Sequence, residues 1–244
     1  VVGSRSDQPF VLRGVGTACR IRPWANEPNV AQLVLYNQRR LPSVADVQQW
    51  LGELTRLGFT AVRTGALNVS QARLVDPLGF VCLQELVLLE HSALRNLPTP
   101  AGPAAAVAIR RLDRDEHAAA AVVDRLAFGL PWGLDEPGIA EVCLATARHR
   151  ARAVHLSGVL VGHAISGRDT KIGFLQRLAV HPDAQRHGIG LALVLDSLRW
   201  SARWRMSRVL VNTHIGNTAA LTLYERVGFR RLPELLRVFE KTLT

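Results

Sequence analysis

The sequence predicts a mixed α/β (α+β) protein with a central mixed, mostly antiparallel sheet flanked by helices, built as two tandem related halves. Three observations carry this. The apolar run Phe174–Val180 leads through His181-Pro182-Asp183 into Gly188-Ile189-Gly190, and then into a helical pattern with Leu191, Val194, Leu195, Leu198 and Ala202 on one face. Asn68, Gly79 and Phe80 recur as Asn217, Gly228 and Phe229, each displaced by 149 positions (217 − 68). Strand and helix signals follow one another in the order strand, two helices, three strands, helix, strand, helix, strand from residue 104 onwards.

The elements can be taken in chain order. Phe10-Val11-Leu12 and Cys19–Arg22 read as short strands ended by Pro23 and Pro28, and Ala31–Tyr36 as a third. Ser43 opens a helix as N-cap, with Asp46 at its third position. Val47, Trp50, Leu51, Leu54 and Leu57 form its apolar face, and Gly58 stops it. At the 149-residue offset, without a gap, Val62 meets Val211, Thr64 meets Thr213, Leu74 meets Leu223, and Leu83, Glu85 and Leu86 meet Leu232, Glu234 and Leu235. Such a run argues for two copies of one unit. The copies differ: Asn37–Ser43 replaces the glycine turn, and Val75 stands where the second half has Tyr224. The first half, residues 1–97, is therefore expected to be structural, the Pro- and Gly-rich stretch 98–103 a linker, and residues 104–244 the working half. There Ala104–Leu112 reads as a strand, Asp113 or Asp115 caps a helix reaching Phe128, and a second helix runs from about Asp135 to Arg148. Ala153–Leu156 and Val159–Ile165 form a hairpin at Ser157-Gly158, followed by strands Ile172–Val180 and Arg208–Thr213. Asn217 opens the helix bearing Tyr224, and Leu235–Lys241 closes the chain.

A strand, a glycine turn and a helix N-terminus make an anion site, because the first N–H groups of a helix lack internal partners and the helix dipole favours negative charge there. Gln185-Arg186-His187-Gly188-Ile189-Gly190 resembles the Q/R-x-x-G-x-G/A motif of the GCN5-related N-acetyltransferases. Asn217–Phe229 is similar to that family's N-x-x-A-x-x-x-Y-x-x-x-G-F signature, with Tyr224 at the Tyr position. The resemblance covers residues 104–244. It implies acyl transfer from acetyl-coenzyme A, with no metal, to a primary amine of a protein, a peptide or a small molecule. The backbone of Leu178, Ala179 and Val180 would bond the pantetheine amides, N–H groups of Gln185, Arg186, His187, Gly188, Ile189 and Gly190 would hold the diphosphate, and Asn217 would contact the pantetheine arm. Tyr224 would protonate the thiolate expelled as the tetrahedral intermediate collapses. Many family members carry a Glu on the central strand as general base. Ile172–Val180 holds no carboxylate, which leaves His214 as the first candidate, with His163 and Glu141 behind it and water as the alternative. Trp132 would shape the acceptor pocket or pack in the core. A catalytically weak module that binds coenzyme A and regulates a partner is the alternative reading.

Composition sets outer bounds. The 244 residues are 48% hydrophobic and 20% charged, an ordinary globular balance. A net charge of +10 rests almost wholly on arginine, since Lys171 and Lys241 are the only lysines, and it suits an acidic partner. Arg199, Trp200, Arg203, Trp204, Arg205 and Arg208 interleave basic and aromatic residues, as single-stranded nucleic-acid binders do. The preferred reading has both rings packed against the first half, and nucleic acid is not the favoured partner. Cys19, Cys82 and Cys143 lack metal-type spacing and read as buried thiols in a reducing cytoplasm. No apolar run reaches a membrane span, and no secretory core opens the chain, whose first residue, Val1, suggests a partial translation product.

Overall fold

In the computed structural model, residues 9–35 and 41–244 are described. Tyr36 and the Asn37–Arg40 part of the segment that replaces the glycine turn lie outside the described residues. The chain forms two compact units, residues 1–87 with 233–244, and residues 88–232. Residues 98–103, expected as a linker, thus lie within the second unit, and the last twelve residues belong with the first. The reason is pairing: the end of the chain finds its strand partner in the first unit.

The first unit contains strands β1 (Phe10–Gly14), β2 (Thr17–Trp24) and β3 (Glu27–Leu35), helix α1 (Val44–Arg56), strand β4 (Ala61–Thr64), the short helix α2 (Val69–Ala72) and the start of strand β5 (Val81–His91). The second holds the end of β5, strand β6 (Ile109–Arg111), helices α3 (His117–Phe128) and α4 (Glu136–Leu144), and strands β7 (Arg148–Leu156), β8 (Val159–Arg168) and β9 (Ile172–Val180). Helix α5 (Ile189–Arg203), strand β10 (Arg208–His214) and helix α6 (Thr218–Val227) follow, and β11 (Arg230–Thr242) ends in the first unit.

In the first unit the strand order is β1-β2-β3-β4-β11-β5. β1, β2 and β3 pair antiparallel, β3 and β4 parallel, and β4 and β11 antiparallel with Glu240 opposite Arg63. Pro23 and Pro28 do not end strands as expected. Pro23 sits in β2 at a register shift, where a missing N–H is tolerated, and Pro28 lies near the start of β3, just after a tight turn with Asn26 at φ 68°. α1 forms as its sequence dictates. The Ser43 side chain accepts from Asp46 N, and Asp46 in turn accepts from Ser43 N and from Val15 N. Trp50, Leu51 and Leu54 are buried with Ile21, Leu33 and Val62, each worth about 1.5–3 kcal/mol in transfer terms. Leu57 is exposed instead, because the helix has already ended there.

In the second unit the order is β5-β10-β9-β8-β7-β6. β6 to β9 form an antiparallel meander, and β9 pairs parallel with β10. Ser157 and Gly158, both at positive φ, turn the β7–β8 hairpin. The expected strand Ala104–Leu112 shrinks to Ile109–Arg111, since Gly102–Ala106 takes a 3-10 turn after Ala101. α4 stops at Leu144, and residues 148–152 extend β7 because they pair with β8 and with β6. Cys82 is exposed, unlike Cys19 and Cys143, whose burial raises both thiol pKa values. Trp204 is 53% exposed rather than packed, with the Arg168 guanidinium 4.2 Å over its ring. Arg199 donates to the Pro98 carbonyl and Arg208 pairs with Glu90 at 2.7 Å, so part of the arginine stripe is tied down within the unit. Among the described residues no helix is long and apolar enough to cross a membrane, and no cluster suited to a metal ion occurs.

The centre of the second unit is a buried carboxylate. Asp124 of α3 is fully buried and accepts from Leu134 N at 2.7 Å and from Arg177 of β9 through both Nε and Nη2. Arg177 also donates to the Trp132 carbonyl at 2.8 Å and lies 3.6 Å over the Phe128 ring. Helix, loop and central strand are joined at one point. Burial would raise the Asp124 pKa, but the hydrogen bonds and charge of Arg177 hold it down at about 2. This depressed value stabilises the fold fully above the unfolded carboxylate value of 3.8, and the contribution is lost as pH falls towards 2. Replacing Asp124 by Asn leaves the guanidinium without its charge partner and is expected to cost about 3 kcal/mol, measured by urea denaturation at neutral pH. The difference between wild type and variant should shrink on acidification through this window; a constant difference would mean that the charge is not what holds the loop.

Candidate functional site

The two parallel strand pairs differ in how far they stay paired. β3 and β4 stay in register over four residue pairs, from Val30–Ala61 to Leu33–Thr64, and Gly65 N continues to the Leu33 carbonyl. β9 and β10 pair only at Ile172–Arg208, Gly173–Val209 and Phe174–Leu210. On its other edge β9 keeps its pairing with β8 up to Val180–Gly162, with Gln176 as the extra residue of a bulge opposite Ile165 and Ser166. A bulge sharpens local twist. Beyond Phe174 the β10-facing edge of β9 therefore presents backbone donors and acceptors without a strand partner, and such groups demand one. Leu178 and Val180 are half-buried on this segment, while the Ala179 side chain is buried in the core below with Ile165 and Leu112.

The turn after β9 is pre-shaped. A 3-10 turn at Pro182–Ala184 uses the Gln185 N–H, which donates to the Pro182 carbonyl, so that N–H is not open to a diphosphate as expected. The Gln185 side chain instead ties back to the Val180 carbonyl at 3.2 Å. Arg186 (φ 67°) and Gly188 (φ 79°) are left-handed and flank the exposed His187. The first helical bond is Ala192 N to the Gly188 carbonyl. Among the described residues no acceptor meets the N–H groups of Arg186, His187, Gly188, Ile189 and Gly190, which form a nest of donors at the positive end of α5. Gly188 is needed for a reason the sequence did not show: a Cβ there would lie 2.5 Å from Ala104 N, so the backbone at 103–104 packs directly on the turn. A Cβ at Gly190 would meet Leu223 Cδ2 at 3.3 Å and Val180 Cγ2 at 4.0 Å, which marks where the strand end, α5 and α6 converge.

α6 is held at both ends. Asn217 is its N-cap, accepting from Ala220 N at 3.1 Å, and Gly228 (φ 106°) ends it. His91 Nε2 lies 3.2 Å from the Val227 carbonyl and its ring meets Phe229 edge-on at 5.2 Å. Burial lowers the His91 pKa, which favours a neutral ring donating to that carbonyl. Tyr224 is 4% exposed and leans on Phe229 with centroids 5.5 Å apart, and no side chain among the described residues bonds its hydroxyl. Burial raises the phenol pKa, with Arg177 opposing weakly, so the group is neutral and proton-bearing throughout the physiological range.

The remaining candidates fare unevenly. His214 is exposed at the end of β10, and its Nδ1 accepts from Gly216 N at 3.0 Å. That nitrogen is thereby engaged in closing a turn. His163 is fully buried, 3.4 Å from Asp124 Oδ2, with neither ring nitrogen in a hydrogen bond. Trp132 is half-buried and enters the site through its carbonyl, which holds Arg177. Sequence reasoning missed Asp124 and Arg177 altogether. The only trace was an Asp at an inward-facing position of a helix otherwise rich in Ala and Val, which in a core demands a cationic partner.

The model of the acetyltransferase (GNAT) family matches residues 124–229. The mycothiol acetyltransferase of Rhodococcus opacus is 29% identical over 182 residues, 72% of this chain and 56% of that protein. That of Rhodococcus erythropolis is 36% identical over 69 residues, 28% of this chain and 23% of that protein. The chain thus spans less than two thirds of these relatives. Its fold is shared with a tandem GNAT protein from the clavulanic acid biosynthesis pathway, at a TM-score of 0.64 and 13% identity over 97% of this chain and 82% of that one. Residues 124–229, which carry the open strand edge, the donor nest and Tyr224, are thus the part of this chain that is similar to the acetyltransferase (GNAT) family.

Proposed function

We propose that the second unit transfers an acetyl group from acetyl-coenzyme A to a primary amine. The observation that carries this reading is the convergence of three features within one unit: an unpartnered β9 edge, a nest of N–H donors at its end, and a buried, protonated phenol on the adjoining helix. The edge of Leu178–Val180 suits the amides of a pantetheine arm lying as a partial strand. The donors of residues 186–190, with the Arg186 charge, suit its diphosphate. Asn217 stands at the start of α6, which its side chain caps. The first unit, whose β3–β4 pair stays closed and whose Val75 stands at the Tyr224 position, serves as a structural half.

For the chemistry, the amine attacks the thioester carbonyl and the carbon–sulfur bond breaks. Tyr224 donates its proton to the departing sulfur, and solvent returns it. Because burial keeps the phenol neutral, it is a donor over the whole working range. Asp124, ion-paired and held acidic, does not serve as base, and His214 is engaged in its turn. We assign removal of the amine proton to water. The R. opacus relative bears the name mycothiol acetyltransferase and its match runs through 182 residues, so we take a small-molecule amine as acceptor in preference to a protein N-terminus.

Tyr224→Phe is expected to lower kcat by about 100-fold with acetyl-coenzyme A binding unchanged by calorimetry. The wild-type kcat should not decline from phenol ionisation as pH rises to 10, the ordinary tyrosine value, because the pKa is shifted upward. Full activity in the Phe variant would remove Tyr224 from the mechanism.

Two glycine variants separate fold from binding. Gly188→Ala meets both a left-handed φ and the Ala104 backbone, and is expected to destabilise by about 2 kcal/mol or more in thermal melts. Gly190→Asp adds a carboxylate in the first turn of α5, where the dipole favours it but a diphosphate would be repelled. Its melting temperature should hold while acetyl-coenzyme A affinity falls at least about tenfold. Unchanged affinity would place the cofactor elsewhere.

A further inference from the structure

Strand alternation gathers arginines on one face of the second unit. Arg148, Arg150 and Arg152 take alternate positions of β7, so they share a face at a spacing of about 7 Å. Arg168 of β8 lies opposite Arg148, and Arg111 of β6 lies opposite Arg152, which brings guanidiniums from three strands to that side. It is the side that α5 packs on. Ser166, opposite Arg150, bonds Ser197 of α5, and both Arg150 and Arg152 reach Asp196 of the same helix. Arg203 in the last turn of α5 adds a further cation, and Trp204 follows it with the Arg168 guanidinium over its ring.

Carboxylates do not match these charges. Asp196 takes both Nε and Nη2 of Arg150 at 2.9 Å and stands 3.6 Å from Arg152 Nε, so one carboxylate serves two guanidiniums. Asp113 meets Arg111 at 3.2 Å in a bridge that solvent screens. The Asp169 carboxylate accepts from the N–H groups of Lys171 and Ile172 in the turn after β8. Among the described residues no ion pair is found for Arg148, Arg168 or Arg203. The Nε atoms of Arg152 and Arg168 are buried without a hydrogen-bond acceptor, a state that buried donors seldom keep. Burial, and then the charge of Arg150, lower the Arg152 pKa, with Arg111 and Arg203 adding to them against Asp196.

We infer that this face is a binding surface for single-stranded nucleic acid, with phosphates on Arg148, Arg152 and Arg203 and a base stacked on Trp204. The evenly spaced arginines of β7 form a track for an extended chain of phosphates, which guanidiniums meet through charge-assisted, directional bonds. The Trp204 ring is 53% exposed although Arg168 lies over it, so ring surface is left for a base. A basic track joined to an exposed aromatic ring holds unpaired strands without a sequence requirement. An acidic protein segment would use the charges and leave the ring idle. The surface lies beside Asp196–Trp204, the second half of α5, whereas the donor nest is at the helix start, so both can be filled at once. The inference does not rest on acetyl transfer.

The test is fluorescence anisotropy of a labelled oligothymidylate titrated with the full chain at a series of salt concentrations. Wild type should bind it saturably, with the logarithm of the binding constant falling against that of salt at a slope of about −2, as three phosphates on a single strand require. Arg148→Glu/Arg203→Glu should weaken binding at least about tenfold and flatten that slope. Both side chains are exposed and hold no ion pair among the described residues, so the melting temperature should hold. Arg148→Ala/Arg203→Ala is the substitute if it does not. Trp204→Ala should weaken binding at least about fivefold and leave the slope as it was. Absence of saturable binding, or full binding in both the arginine and the tryptophan variants, would overturn the surface. Labelled polyglutamate or a DNA duplex bound as tightly as the single strand would overturn the choice of partner. Gly190→Asp should bind the strand like wild type, and the arginine variant should bind acetyl-coenzyme A like wild type. Loss of strand binding in Gly190→Asp would place the strand at the donor nest and overturn the inference.

Discussion

The bond that the second unit depends on is between Asp124 and Arg177. A carboxylate with no solvent exposure is tolerable only if it is paired and its lone pairs are met. Here Arg177 and the Leu134 N–H meet them, and the guanidinium reaches on to the Trp132 carbonyl. One helix, the loop that follows it and the middle of the central strand are fixed by a single charge pair. The alternative, an apolar pair of similar size, would pack as well but would not select one loop conformation. The position matters because Arg177 lies directly before Leu178–Val180, the open strand edge, and its charge is felt at Tyr224. The guanidinium that anchors the loop thus also acts on the phenol, opposing the larger effect of burial.

The site itself is made by withheld pairing. Parallel strands in register satisfy each other's backbone, as β3 and β4 do over four pairs in the first unit. In the second unit three pairs form, a bulge at Gln176 turns the strand, and the rest of the β9 edge has no strand partner on that side, with the Val180 carbonyl met by the Gln185 side chain. Two copies of one supersecondary unit have therefore diverged without losing their caps. Asn68 and Asn217 both open helices by side-chain acceptance, and Gly79 and Gly228 are both left-handed. The shared residues are those the local backbone requires, while those that differ determine whether the strands part.

This division also explains what could be read in advance. The Ser43–Asp46 capping box, Asn217 as N-cap, the Ser157-Gly158 turn and strand β9 depend on near neighbours, so the sequence displays them. The Asp124–Arg177 pair spans 53 positions and has no local signature. Ala104–Leu112 carries strand-like residues, yet a 3-10 turn forms at 102–106 because the Pro103–Ala104 backbone packs against Gly188, a contact far off in sequence. His214 has the chemistry of a base by type, but its own turn at Gly216 engages its Nδ1. Residue type indicates what a side chain can do, and its hydrogen bonds determine what remains for it to do.

Gly188 brings these threads together. The sequence motif presents it as a residue that lets phosphate approach, and the structure gives it two further duties: a left-handed backbone, and contact with the segment 103–104. Neither involves a ligand. Together with left-handed Arg186, it keeps the N–H groups of the turn converging before anything binds, at a strain of order 1–3 kcal/mol for a non-glycine residue. Ordering a loop upon binding costs affinity, whereas a turn already ordered by the fold does not. The glycine is required by the protein's own backbone, and the donors of the turn are held in place by the fold itself.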